Sequence, residues 1–262
     1  MTQPTITTEV RGHVLCIGID RPEKRNAFDV KMYQQLAQAY GQLEKDRALR
    51  CGLLYAAGDH FTGGLDLPQW ADCFANGTFP ELPDGAVDPL GIYSDRMLSK
   101  PVVMAVQGIC FTIGIELLLA TDIRVAASDT RFGQIEIKRG IYPVGGATTR
   151  LFQEIGWANA MRYLLTADEI SAEEAYRMGL VQEITDPGAQ FDRAMDMAAT
   201  IARQAPLGVQ ATLRSARLAR LQGELAAMKQ LLPDLMPLMQ SKDVQEGIAA
   251  FTERREASFT GE

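Results

Sequence analysis

The side chain in this sequence that most demands an explanation is a carboxylate in apolar company. Glu116 stands in Ile113-Gly-Ile-Glu-Leu-Leu-Leu-Ala120, with hydrophobic neighbours on both sides. An ionised carboxylate buried without a partner costs far more than helix propensity returns, so Glu116 must be paired, shifted in pKa or close to water. It either carries chemistry, or turns outward from a buried first turn, or pairs with Arg124; the residues alone leave these open. A second carboxylate, Glu136, lies twenty residues on, in Gln134-Ile-Glu-Ile-Lys138. Its alternation with two isoleucines is the pattern of a half-buried strand with a solvated face. Two carboxyl groups that converge can divide acid and base duties between them, but spacing alone does not bring these two together.

Two glycine-rich segments each follow a strand-like run: Phe61-Thr-Gly-Gly-Leu-Asp-Leu67 and Gly108-Ile-Cys-Phe-Thr-Ile-Gly114. Glycines allow tight turns in which free backbone N–H groups face a ligand, and two such groups aimed at one carbonyl oxygen form an oxyanion hole. The same glycines also suit ordinary turns. Arg21-Pro-Glu-Lys-Arg-Asn-Ala27 puts cations at a strand end before a helix start, where they could hold a phosphate or simply be solvated.

Other chemistries find little support. There is no G-x-G-x-x-G or phosphate-loop signature and no serine in a G-x-S-x-G elbow. His13 and His60 are the only histidines, and neither has an obvious nucleophile beside it. Cys16, Cys51, Cys73 and Cys110 are widely separated, so no metal-ligand cluster is expected. The net charge of −7 over 262 residues argues against nucleic acid or an anionic membrane as the main partner. The longest apolar runs fall far short of the roughly 20 residues of a membrane span, and MTQPTITTEV lacks the layout of a secretion signal. A reduced, cytoplasmic protein is expected.

The elements that must position these residues read as α/β. Thr5–Val10 and His13–Asp20 read as strands joined at Arg11-Gly12, and Asp29 caps a helix with Tyr33, Leu36, Ala37, Tyr40 and Leu43 at helical spacing. Cys51–Ala57, Val102–Val106 and Asp122–Ala127 read as strands, the last after a short helix over Ile115–Ala120. Such spacing predicts crossover units with largely parallel pairing. Ser171 with Glu174 forms a capping box, and Gly179 ends that helix before a strand over Leu180–Ile184. From Ala189 the chain reads as nearly all helix. One apolar stripe there is Phe191, Ala194, Met195, Ala198, Ile201 and Ala202, and another is Val244, Ile248 and Phe251. These must be buried on the chain's own core or on a sister subunit. The stretch Trp70–Ser99 is the least regular, and Asn76–Gly91, with its prolines and glycines, predicts a long loop, functional or mobile.

Taken in order along nearly the whole chain, these segments resemble the crotonase superfamily, the enoyl-CoA hydratase/isomerase family. The matching segments are Arg21-Pro-Glu-Lys-Arg-Asn-Ala-Phe28, Phe61–Leu67, Lys100-Pro-Val-Val-Met-Ala-Val-Gln-Gly108 with Ile113-Gly-Ile-Glu116, and Phe132-Gly-Gln-Ile-Glu136 with Gly140-Ile-Tyr-Pro143. Ala172–Val181 and Gln245–Phe251 match later signatures. The resemblance implies a spiral of ββα units over residues 1–200 holding the CoA-thioester site. It implies a C-terminal helical region over 201–262 that assembles a homotrimer or a dimer of trimers. It implies an acyl-CoA substrate, with coenzyme A arriving as part of the thioester and no separate cofactor.

The resemblance is strongest to the branch with two glutamates, and so to reversible hydration of a 2-enoyl-CoA. Carried over by position, Glu116 and Glu136 are the catalytic pair, and the amides of Leu65 and Ile113 form the oxyanion hole. Lys24, Arg25, Ala27, Gly63, Asp66, Leu67 and Pro68 line the coenzyme path. Trp70, Phe74, Tyr142 and Val144 border the acyl group. This chain departs from the family pattern at Thr112-Ile113-Gly114, where three glycines are common, at Leu65 in place of alanine, and at Val144-Gly-Gly-Ala147 after Pro143. The alternatives are a Δ3,Δ2-enoyl-CoA isomerase, a hydrolase or lyase on an unusual acyl group, or a non-catalytic acyl-CoA-binding member.

Overall fold

The computed structural model describes residues 5–92 and 97–262. Strands β1 (Ile6–Arg11) and β2 (Val14–Ile19) form an antiparallel hairpin turned at Gly12. Helix α1 (Val30–Lys45) follows, its first turn capped by the Asp29 carboxylate, which accepts from Met32 N at 2.8 Å. Strands β3 (Cys51–Ala56), β4 (Val102–Val106), β6 (Ile123–Ala127) and β9 (Glu183–Thr185) then extend one six-stranded sheet in the order β1-β2-β3-β4-β6-β9. Every pairing after the hairpin is parallel. A second sheet of three short strands, β5 (Ile109–Phe111), β7 (Arg131–Gly133) and β8 (Ile170–Ser171), stands beside it. Helices α2 (Leu67–Ala75) and α3 (Ile113–Ala120) begin at the ends of the two glycine-rich loops.

Strand periodicity sorts the core into two layers, because alternate side chains face opposite sides of a sheet. Leu15, Ile17, Ile19, Leu54, Val102, Met104 and Val106 join the main core with α1 and α3. Val14, Cys16, Cys51, Leu53, Val103, Ala105 and Val125 face the other way, onto Ala194, Ala198 and Ala202 of α7 (Gln190–Ala202). The stripe read from the sequence on α7 therefore packs where its spacing requires, with Phe191, Met195 and Ile201 at its margins.

The chain between the sheets and α7 forms α4 (Ala147–Ile155), α5 (Trp157–Thr166) and α6 (Ala172–Met178). Ser171 Oγ accepts from Glu174 N, and Gly179 in the left-handed region ends α6 as expected. The following strand is shorter and later than the expected Leu180–Ile184. Leu180 N bonds back to Ala175 O, so pairing with β6 begins only after Gln182 N meets Arg124 O.

The 76–91 loop is pinned to α1 over its last third. Val87 N donates to Ala37 O, and Asp88, buried, accepts from Tyr33 Oη, Leu90 N and Ile92 N. The expected irregular stretch up to Ser99 includes residues 93–96, which lie outside the described residues.

The tail forms α8 (Pro206–Gln222), α9 (Glu224–Met239) and α10 (Lys242–Glu253). Its apolar side chains are largely uncovered by this chain: Leu225, Leu232, Met236 and Ile248 are exposed and Phe251 is 87% exposed. Of the stripe Val244, Ile248 and Phe251, the last two thus find no place in the core formed by the described residues, while Val244 is half-buried. No helix among the described residues is long and apolar enough to cross a membrane.

Candidate active site

The first glycine-rich loop is stitched to the basic segment before α1 by one buried amide. Asn26 accepts from Arg21 N through Oδ1, and its Nδ2 donates to Ala57 O and His60 O at 2.9 and 2.8 Å. Thr62 Oγ1 donates to Asn26 O, and Gly63 N donates to Arg25 O. Gly64 O accepts from Phe28 N and Asp66 N donates to Phe28 O, so the intervening Leu65 N–H takes no part in that bridge. Among the described residues the Leu65 N–H has no acceptor. Neither has that of Ile113, which opens α3 and belongs to its unsatisfied first turn.

The two loops meet side chain to backbone. Thr112, held at φ 49° and ψ −111°, turns a buried Oγ1 without a partner toward Gly64. A Cβ on Gly64, itself at φ +111°, would stand 2.4 Å from that oxygen, so the position has no room for a side chain.

Glu116 sits on the first turn of α3, only 5% exposed. It does not turn outward, nor does it pair with Arg124, which is engaged with Glu154, Leu180 O and Thr121 O. Instead Glu116 Oε1 accepts from Gly145 N at 2.6 Å and Ala147 N at 3.3 Å, across at the start of α4. Burial pushes its carboxyl up to about 7, against the pull of those two amides and the charge of Arg150.

Glu136 is not on a strand. It opens a 3₁₀ turn, Glu136–Arg139, closed by Gly140 in the left-handed region. The isoleucine alternation that suggested a strand belongs to the entry of this turn. Its carboxyl is also raised to about 7, by burial first and by the Glu116 charge as well. Gln134, buried and not singled out from the sequence, supports it. With its amide nitrogen turned inward, Gln134 donates to Thr112 O at 3.2 Å and to the Glu136 oxygens at 3.1 and 3.3 Å.

Both carboxylates line one cavity of about 210 Å³, with Gly63, Leu65, Leu67, Phe74, Thr112, Ile135, Arg139, Ile141, Tyr142 and Val144. Leu65 and Leu67 also line a neighbouring surface groove with Lys24, Arg25, Ala27, Asp66 and Pro68. The expected coenzyme path and acyl cavity therefore adjoin at two side chains. Asp66 is drawn into ion pairs there, with Arg21 at 3.4 Å and Lys24 at 3.8 Å. Arg21, which also pairs with Asp29, ties the groove to the start of α1, a role its place in the basic segment does not reveal.

One expected acyl-pocket residue is elsewhere. Trp70 does not border the cavity; it is fully buried beneath Phe74, ringed by Tyr33, Phe74 and Phe79, with Nε1 donating to Phe28 O. An indole N–H that finds a backbone acceptor can sit wholly in a core. Ile113 is likewise a core side chain and does not line the cavity. Among the described residues no group of His, Cys, Asp or Glu is arranged to hold a metal ion.

Comparison with known proteins agrees with this architecture. The family model for Enoyl-CoA hydratase/isomerase matches residues 9–262. An enoyl-CoA hydratase of Mycobacterium tuberculosis, EchA19, is 36% identical over 259 residues, covering 98% of this chain and 96% of that protein. The (E)-benzylidenesuccinyl-CoA hydratase of Thauera aromatica is 34% identical, covering 98% of this chain and 99% of that protein. The crystal structure of a probable enoyl-CoA hydratase/isomerase from Mycobacterium abscessus superposes with a TM-score of 0.95 at 48% identity, covering 98% and 99% of the two chains. With its fold and nearly its whole length matched, the chain belongs to the enoyl-CoA hydratase/isomerase family.

Proposed function

We propose that this protein adds water reversibly across the double bond of a 2-enoyl-CoA thioester. The observation that carries the reading is the pair Glu116 and Glu136 lining one cavity, each with its carboxyl raised to about 7. Near neutral pH such a pair readily holds one proton between two groups, which is what hydration needs. Glu116, as carboxylate, takes a proton from water while the water oxygen attacks the β-carbon. The π electrons shift toward the thioester oxygen, where the N–H groups of Leu65 and Ile113 stabilise the enolate. Glu136, as neutral acid, then delivers its proton to the α-carbon. Return of the proton from Glu116 to Glu136 through solvent restores the starting state. Removing one donor from an oxyanion hole typically lowers the rate by about 10²–10³, so the amides matter as much as the acids.

In the same reading the CoA phosphates lie along the groove near Lys24 and Arg25, with the pantetheine passing Leu65 and Leu67. The uncovered apolar face of α8–α10 supports self-association, as a homotrimer or a dimer of trimers. Four free cysteines suit a reducing compartment such as the cytoplasm.

The test is to follow the absorbance of the conjugated thioester as the protein meets crotonyl-, octenoyl- and cinnamoyl-CoA, beside Glu136→Gln. Loss of absorbance by the native protein and its near disappearance in the variant is the expected result. Bound thioesters with no turnover across the panel would contradict it.

A further inference from the structure

We infer that Arg139 recognises a carboxylate on the distal end of the acyl group, making the preferred substrates enoyl-CoA thioesters with an anionic acyl tail; this rests on the enoyl-CoA reading above. Among the described residues that line the acyl cavity Arg139 is the one cation, set among Phe74, Ile141, Tyr142 and Val144. Its place follows from the backbone. Glu136–Arg139 is a 3₁₀ turn, in which side chains at i and i+3 eclipse, so Glu136 and Arg139 leave the turn on one face. Three residues at a rise of about 2 Å each set the two α-carbons about 6 Å apart along that turn. The acid that would serve the α-carbon and the guanidinium thus border the same space. Lys138, between them, is turned away, with Nζ donating to Ala167 O at 2.7 Å.

Arg139 is also uncommitted. Among the described residues its one hydrogen bond is to Lys138 O at 3.4 Å, and no carboxylate lies within ion-pair distance. Some surface arginines here are taken up, Arg131 by Glu169, Arg177 by Glu174 and Arg193 by Glu183, while among the described residues Arg25, Arg47 and Arg254 are as unpaired as Arg139. Of these unpaired arginines, Arg139 is the one that lines the cavity holding both glutamates. A planar guanidinium offers two parallel N–H groups that match a carboxylate. Charge also gives it a task. The single negative charge shared by the Glu116–Glu136 pair disfavours an anionic tail, and a cation on the cavity wall offsets that repulsion only for acyl groups that carry one.

The experiment compares kcat/KM for paired 2-enoyl-CoA thioesters of equal length, one ending in a carboxylate and the other in its methyl ester. The native protein is expected to favour the carboxylate by about tenfold to a hundredfold, the range of a charge-assisted hydrogen-bonded pair. Arg139→Leu should bring the ratio to about one or below, and Arg139→Lys should keep part of it. A native ratio at or below one, or a ratio unchanged in Arg139→Leu, overturns the inference. Should the native protein turn over neither ester, the hydratase reading fails by itself. Calorimetric binding of saturated acyl-CoA pairs, carboxylate against methyl ester, then decides on Arg139. A preference that Arg139→Leu abolishes supports the inference, and its absence overturns it.

Discussion

Gly145 holds the carboxylate of Glu116 by its backbone and leaves no space for anything more. Gly145 N donates to Glu116 Oε1 at 2.6 Å, while a Cβ added to Gly145 would stand 2.3 Å from Oε2. The glycine is needed there for closeness, since its φ is not in the left-handed region. The amides of Gly145 and Ala147 aim a buried acid without neutralising it.

Gly145→Ala should therefore act on activity more than on folding. The methyl group must displace the carboxylate, and misplacing a reacting group by about 1 Å can cost about 10²-fold in rate. The expected outcome is a kcat reduced by about that factor with little change in melting temperature. Unchanged kcat would show that Glu116 is not held for chemistry by this contact.

Of this arrangement, Glu116 was the part most legible in the sequence, because a carboxylate within an apolar octapeptide must be paired, shifted in pKa or close to water, although the residues alone left open which. Glu136 was not legible from its own surroundings, since isoleucine alternation describes a strand and a short turn equally well. Its pairing with Glu116 came from resemblance. The contacts of Gln134 and the ion pairs of Arg21 are not legible in the sequence, because polar residues in or beside a motif look like ordinary surface until folding shows what they touch. Trp70 was misplaced for a related reason: aromatic residues near a loop suggest a pocket wall, and only the bond from Nε1 to Phe28 O explains its full burial. The sheet and the α7 stripe were readable from period alone, whereas the exact start of β9 depended on the bond from Leu180 N to Ala175 O.

The pH dependence of hydration should be bell-shaped, with its maximum near pH 7. Below that range Glu116 takes up a proton and ceases to be a base; above it Glu136 loses the proton it must donate. Both carboxyls are raised to about 7, and as like charges in one cavity they titrate as a pair with two apparent values. Residual activity in Glu136→Gln should lose the alkaline limb and keep the acidic one. An alkaline limb that persists in the variant would assign it to another group.

The same shifts make a prediction for stability. In the folded state these carboxyls bind protons more tightly than at their ordinary value of 4.5. Between about pH 4.5 and 7 the native protein then holds more protons than the unfolded chain. Their contribution to stability accordingly falls as pH rises through that window. Glu136→Gln removes one such group, so it should be the more stable protein at pH 8 by an amount on the order of 1 kcal/mol, with the gain shrinking by pH 5. Urea denaturation at the two pH values checks this. A variant less stable than native at pH 8 would contradict it.

Asn26 should prove the anchor of the groove beside Lys24 and Arg25. Asn26→Ala leaves Arg21 N, Ala57 O and His60 O without their partner in a buried position, at about 1–3 kcal/mol for each such group left unsatisfied. The melting temperature should drop, and the KM for acyl-CoA should rise as the 21–27 segment loosens. Native-like melting would show that water replaces the amide.

The most direct test of the central claim follows where the atoms go. A 2-enoyl-CoA is incubated with native protein in water enriched in heavy oxygen and deuterium, and the product is read by mass spectrometry and proton NMR. Hydration predicts one heavy oxygen on the β-carbon and one deuterium on the α-carbon, both formed far more slowly by Glu116→Gln and by Glu136→Gln. A product whose double bond has moved with no heavy oxygen incorporated would make the protein an isomerase and contradict the two-carboxylate hydration described here.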